Sequence, residues 1–286
     1  TLVLDANDSD RTELGTFDIY FVLGGCAPGA DESAFSEANG QTIYKVAGCV
    51  VNAAGVDFDI DGITTINWSG FGATVTQVDA SSNIDFNTNS ASTLGRAGVL
   101  ATNNFLRNRI TSLTIQPDAD TDGTFGEAGD LNQDGISGNE FLAAYSLILT
   151  GGSINLENNI TFLTPEELCR VNTPIGHVTG TRNITGSFTC YLNDDNTGTD
   201  NRSAKFFSDL ASATTLTRNK FNLKFTIGDI TTATGVGVAF EFPSAHIDIP
   251  THQIEDVISL ETNFHALPST ITNADEVKIT YKGIAP

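Results

Sequence analysis

The chain has 286 residues and a mass of 30.3 kDa, with 14 Lys and Arg against 35 Asp and Glu, a formal net charge of −21. Hydrophobic residues make up 40% of it, enough for one or two cores, which excludes a disordered acidic tail. The charge excludes a partner gripped by its phosphates, and docking on an anionic membrane surface, since both require a basic stripe.

The longest apolar run, Phe141 to Leu149, is too short to span a bilayer. No N-terminal stretch reads as a signal peptide, and with no Met in the chain a trimmed leader is left open. Thr, Asn, Gly, Asp and Ser are abundant, the usage of a β-rich protein with many turns. Cys26, Cys49, Cys169 and Cys190 contain no C-x-x-C, so a zinc site is not expected. Pairs 26–49 and 169–190 would each join neighbouring segments; four buried free thiols are the other arrangement.

Period-2 alternation is the main signal along the chain. Thr16 to Leu23 puts Phe17, Ile19, Phe21 and Leu23 on one face. Val56 to Ile60 puts Val56, Phe58 and Ile60 on one face and Asp57 and Asp59 on the other. After Asp61-Gly62 the alternation resumes at Thr64, Ile66 and Trp68, which predicts a hairpin because both turn residues tolerate positive φ. Residues 85–180 alternate less and predict a loop- and helix-rich insertion between β-rich halves at 1–84 and 181–286 of a single domain. Within it, the capping box Ser137-Gly-Asn-Glu140 predicts a helix carrying Phe141, Leu142, Tyr145, Ile148 and Leu149 on one face, stopped by Thr150-Gly151-Gly152. A second box, Thr164-Pro165-Glu166-Glu167, predicts a short helix to about Val171, and Lys205 to Ala213 predicts a third. Then Ile184–Leu192, Phe221–Ile227, Val236–Phe242, Ala245–Ile249, Ile258–Phe264 and Val277–Tyr281 all alternate, which suggests a sandwich or barrel. The two halves read alike: Val56–Ile60, then Ile66–Trp68 and Phe71, has the order of His246–Ile249, then Ile258–Leu260 and Phe264.

Two acidic patterns stand out. Asp118, Asp120 and Asp122 before Gly123, then Asp130, Asn132 and Asp134 before Gly135, each open like a calcium loop, where alternate carboxylates converge. The second departs from the pattern: Glu140 falls at loop position 11, and Ser137 holds the usual apolar position 8. The same residues would also serve as a surface loop that makes turns and caps a helix. Asp57, Asp59 and Asp61 project from one strand face about 7 Å apart, so that face is either solvated or lines a large aqueous cavity. Four histidines are present, His177, His246, His252 and His265, but no G-x-S-x-G, H-E-x-x-H, P-loop or dinucleotide fingerprint. No catalytic residues are assigned, and no enzyme is expected.

The segment Val56–Ile63 running on to Ile66–Gly72 resembles the N-terminal hairpin of siphophage (long-tailed phage) tail tube proteins, and Ile258–Leu267 with Glu276–Tyr281 resembles that family's closing strands. The likeness is to the larger members from flagellum-attaching phages and covers about 100 residues at both ends. It implies a mainly β, sandwich or barrel tail-tube fold with a few short helices, six subunits to a ring, and rings stacked into a tube that conducts genome DNA during ejection. Its implied partners are further copies of itself, tail tip and tail terminator proteins, and DNA as non-specific transiting cargo, with no membrane. Its implied location is the virion, after assembly in the host cytoplasm. One of the two long hairpins, 56–72 or 245–264, would then line the lumen, with Asp57, Asp59, Asp61, Glu255 and Asp256 as candidates facing the DNA path. A lumen poor in cations passes DNA without holding it, and only five Lys or Arg occur up to Asp130.

The alternatives are a secreted, calcium-stabilised β-sandwich adhesin or matrix module, and a β-barrel hydrolase. No cofactor is required, but the Asp118–Glu140 loops are expected to hold a structural calcium. EDTA should therefore lower the melting temperature; an unchanged temperature would leave those loops as turns and caps alone.

Overall fold

The computed structural model describes residues 2–5, 15–24, 34–35, 42–60, 62–78, 84–85, 111–117, 144–164, 174–193, 203–212, 220–231, 235–249, 251–254, 258–270 and 275–282. The strands in chain order are β1 (Leu2–Asp5), β2 (Phe17–Leu23), β3 (Ala34–Phe35), β4 (Thr42–Asp59), β5 (Thr65–Phe71), β6 (Thr74–Gln77), β7 (Ile84–Asp85), β8 (Thr111–Pro117) and β9 (Tyr145–Glu157). They continue with β10 (Ile160–Leu163), β11 (Gly176–Thr179), β12 (Asn183–Tyr191), β13 (Phe221–Gly228), β14 (Gly237–Ile247), β15 (Thr251–Ile254), β16 (Ile258–Ala266) and β17 (Lys278–Lys282). One helix, α1 (Ser203–Ser212), is present among the described residues. None there is long and apolar enough to cross a membrane.

Six strands close on themselves. β13 pairs with β8, β8 with β9, β9 with β12, β12 with β16, β16 with β14, and β14 with β13, all antiparallel. The result is a barrel in which no strand of the ring keeps a free edge along its paired length. Alternation fills it. Leu113, Ile115, Leu147, Ile154, Ile184, Phe188 and the β13 residues Phe221, Leu223, Phe225 and Ile227 are all buried. Phe225 is the hub, with ring centroids 5.7 Å from Phe58, 6.3 Å from Phe188, 6.0 Å from Phe242 and 5.5 Å from Phe264. Helix α1 closes one end: Phe206 lies edge-on to Tyr145 at 5.2 Å and to Phe221 at 6.5 Å. Its first residue, Ser203, donates to the carbonyl of Tyr191 at 2.7 Å and accepts from the amide of Asn193 at 2.8 Å, which ties it to the end of β12.

The sheet runs past the barrel. β4 adds to β9 through Ala53–Asp59 and carries β5 on its other side. The predicted hairpin is present, with Asp57 opposite Thr65. β4 is 18 residues long, about 60 Å at strand rise. Its first half leaves the barrel as a ribbon between β2 and β6. Gly48, at φ 64°, marks the bend and accepts no side chain there without strain. A 2.6 Å ion pair joins Lys45 to Asp18, whose carboxyl is held below its ordinary value by that ammonium and by the Gly48 amide. This contribution is present above the ordinary carboxylate pKa and is lost as acid protonates Asp18.

Three expectations need correction. The segment Tyr145–Leu149 is strand, not helix, and Gly151-Gly152 lies inside β9 rather than ending an element. Its β-branched and aromatic residues gain more from barrel pairing than from a lone amphipathic helix. Residues 111–117 and 145–163, placed in a loop- and helix-rich insertion, include two strands of the barrel itself. The likeness between the halves also fails in topology: β4 pairs with β9, and it is β16, not β14 or β15, that pairs with β12. The predicted helix over 165–171 lies outside the described residues. The helix at Lys205 and the strands after residue 183 are where alternation puts them, except that Val236–Phe242 and Ala245–Ile249 fuse into β14.

Two glycines are required by close packing. Gly152 pairs with Phe58, and Gly186 with Phe264. A Cβ on either would run into the opposed ring and into a backbone oxygen, of Ser187 or Ser153. Phe225→Ala is expected to cost about 3–5 kcal/mol of stability, and Gly186→Ala about 1–3 kcal/mol by overpacking, both read from urea unfolding. A Gly186→Ala variant as stable as the parent would contradict the β12–β16 register.

Candidate functional site

The strands β5, β4, β9, β12 and β16 form one continuous wall, and β15 extends it beside β16. Residues paired across antiparallel strands share a face. On the inner face, Val56, Ile154, Gly186 and Phe264 make one row and Phe58, Gly152, Phe188 and Thr262 the next. On the outer face the rows are Asp57, Ser153, Ser187 and Asn263; Gly55, Asn155, Thr185 and His265; and Asp59, Gly151, Thr189 and Glu261. Thr65 and Asn67 extend the first two rows onto β5, and Ala53, Glu157 and Asn183 form a fourth.

The outer face is therefore small and polar, with four carboxylates: Asp57, Asp59, Glu157 and Glu261. No Lys or Arg occurs in Ala53–Asp59 of β4 or in β5, β9, β12, β15 and β16; Lys45 stands on the ribbon half of β4. The hydroxyls pair with one another: Ser153 with Ser187 at 3.2 Å and Thr150 with Thr189 at 3.0 Å. Thr150 is the extra residue where the β9–β12 register shifts.

Asp57 and Asp59 are exposed on this face, as the alternation predicts. Asp61, Glu255 and Asp256 lie outside the described residues, as do Asp118, Asp120, Asp122, Asp130, Asn132, Asp134 and Glu140. Glu157 and Glu261 were missed. Each alternates with buried neighbours, Ile154 and Leu156 or Leu260 and Thr262, but only the strand pairing puts them on the face of Asp57. Among the described residues no group of three or more His, Cys, Asp or Glu could hold a metal ion. Cys49 and Cys190 are buried free thiols, and burial pushes Cys190 up to about 12; Cys26 and Cys169 lie outside the described residues.

The back of the wall changes character where the barrel ends. On β5, Ile66 and Trp68 pair with Val56 and Ala54 and so share the core side, yet they are 40% and 61% exposed. The ribbon repeats this: Phe17, Ile19, Phe21, Val75 and Tyr44 are exposed, and Ile19, Val46 and Val75 make a single row. An apolar cleft of about 230 Å³ runs between them, lined in part by Phe17, Ile19, Val46, Trp68 and Phe71. Grouped exposed apolar side chains of this kind mark a surface for contact with another molecule.

A polar clamp fixes the hairpin to the barrel. The Asn158 amide donates to the Val51 carbonyl at 2.9 Å, and Arg182 donates to Asn158 at 3.2 Å and to Glu276 at 3.3 Å. Asn52 closes the same joint by accepting from the Ile160 amide at 2.8 Å.

A family model described as phage tail tube protein matches residues 27–266. The chain belongs to the phage tail tube protein family. A curated relative, the tail tube protein pb6 of Escherichia phage T5, is 29% identical over 236 residues, which are 82% of this chain and 45% of the relative. The chain thus spans less than half the length of that relative. Among solved structures, the tube-terminating cap of an anti-feeding prophage aligns at a TM-score of 0.33 and 10% identity, over 62% of this chain and 91% of the cap. The family is structural, which displaces the adhesin and hydrolase alternatives, and the mainly β fold with a large antiparallel sheet agrees with the resemblance at the two ends of the sequence.

Asn158→Ala removes the hydrogen bond to the Val51 carbonyl and the acceptor of the half-buried Arg182. It is expected to cost about 1–3 kcal/mol in urea unfolding, and hydrogen exchange should quicken at β4 and β10 before the barrel strands. Unchanged protection at β4 would remove the clamp from this account.

Proposed function

We propose that six copies of this chain close a ring, that rings stack into the tail tube, and that the outer face of the β5–β4–β9–β12–β16–β15 wall lines its bore. Genome DNA is cargo on that path. The observation that supports the reading best is the two-faced β4–β5 hairpin: Thr65, Asn67 and Ser69 on one side, bare Ile66 and Trp68 on the other. A hairpin with a wet front and an apolar back is stable only when another surface covers the back. In a closed ring that surface belongs to the next copy.

The edges support the same arrangement. Among the described residues β5 pairs only with β4, and β15 only with β16. Each ends the wall, and an open edge left in water invites pairing. Joined from copy to copy, the walls make one cylinder with no edges. Both hairpins, 56–72 and 245–264, then contribute to the bore, where the sequence offered a choice of one.

Charge supports the cargo role. Four carboxylates, with no Lys or Arg among the described residues of the wall's outer face, give a surface that phosphates do not grip. The location that follows is the virion tail, after assembly in the host cytoplasm, with tail tip and tail terminator proteins at the two ends. The Asp118–Glu140 loops are a proposed structural calcium site.

Concentrated protein should show hollow tubes with sixfold end views in negative stain. Trp68→Asp should keep the unfolding free energy within about 0.5 kcal/mol of the parent's, as exposed substitutions do, yet abolish tubes. Tubes that persist in Trp68→Asp would remove the β5 back face from the subunit contact, and a protein that stays monomeric at all concentrations would overturn the reading.

A further inference from the structure

The wall carries one feature that its structural role does not use. His265 on β16 stands directly opposite His246 on β14, in the row Gly55, Asn155, Thr185, His265. The flanking bonds, Asp248 amide to Asn263 carbonyl at 2.9 Å and Leu267 amide to Ser244 carbonyl at 2.7 Å, fix the alternation of the ladder around them. His246 is exposed and His265 half-buried. Histidine is the side chain whose ordinary titration range lies between pH 5 and 8.

We propose that this opposed pair makes the wall's repulsion of polyanions pH-dependent: with both imidazoles neutral the carboxylates of the face repel a duplex in full, and with them charged about half of that charge is offset and the duplex is held off less. This rests on the bore assignment above. Carboxylates keep their charge down to about pH 5, so between pH 8 and 5.5 the imidazoles are the groups on this face that titrate.

The surroundings set how the pair charges. His265 faces Thr185 from β12, which is uncharged, and has Glu261 and Asn263 on its own strand. It also borders the cavity of about 580 Å³ at the barrel end, where Arg182 and Glu276 pair with each other. His246 has Asp248 just past the end of β14, and Lys220 just before β13, beside the Phe221 that pairs with Ala245. In a ring of six the belt gathers these charges at one level of the bore, so a modest change per copy acts repeatedly on the same stretch of duplex.

The test uses assembled tubes and a labelled 20-base-pair DNA at low salt, with DNA retained on pelleted tubes measured at pH 8 and 5.5. Retention several-fold higher at pH 5.5 is expected. It should be flat in the double variant His246→Gln, His265→Gln, and high at both pH values in His265→Lys, which also serves if the double variant does not assemble. An undiminished pH step in the double variant, or no step in the parent, overturns this inference while leaving the bore assignment in place. Tubes whose bore is lined by another face overturn both.

Discussion

Phe225 meets four phenylalanines from four strands, and the wall depends on those contacts. Two of the four, Phe58 and Phe264, come from the strands that flank β9 and β12, and each lies over a glycine of its neighbour. The glycines let large rings reach the barrel axis from strands at the wall's margins. Because the rings fill the inside, the outside of the same strands is free to hold serine, threonine, asparagine and carboxylates. A side chain at Gly152 or Gly186 would push β4 or β16 outward and break the register that aligns those polar rows. The inside of the barrel thus determines the chemistry of its outer surface.

A net charge of −21 describes the whole chain, but function depends on its distribution. Ala53–Asp59 of β4 and the strands β9, β12 and β16 hold acidic residues and no Lys or Arg, while the described lysines stand elsewhere: Lys45 on the ribbon half of β4, Lys205 on α1, and Lys220, Lys224, Lys278 and Lys282 on or beside β13 and β17. Lys224, Glu241 and Lys278 fall in one cross-strand row, where opposite charges alternate. This separation lets one subunit offer a repelling face to nucleic acid and a mixed-charge face elsewhere.

Much of this was legible from alternation alone. The Asp61-Gly62 hairpin, the exposed Asp57 and Asp59, and the C-terminal strands follow from period 2, because one face of each strand is buried and the pattern must say so. β9 was not legible. Its start, Tyr145-Ser-Leu-Ile-Leu, satisfies helical spacing as well as strand alternation, and the glycines at 151 and 152 resemble a stop signal when Phe58 is not known to lie across one of them. Glu157 and Glu261 were hidden for a related reason: the face a strand residue joins is set by strand partners distant in sequence, such as Ala53 for Glu157 and Thr189 for Glu261. The exposed rows on β2 and β5 alternate like buried strands, and nothing in a single chain's pattern tells such a row from a buried one.

The central claim is that the face bearing Asp57, Asp59, Glu157 and Glu261 lines a tube. A cryo-electron microscopy map of tubes assembled from this chain tests it most directly. The account predicts β5, β4, β9, β12, β16 and β15 around the lumen, those four side chains pointing into it, and Trp68 covered by the adjacent subunit. A map with Ile66 and Trp68, or with the lysines of β13 and β17, facing the lumen would contradict it.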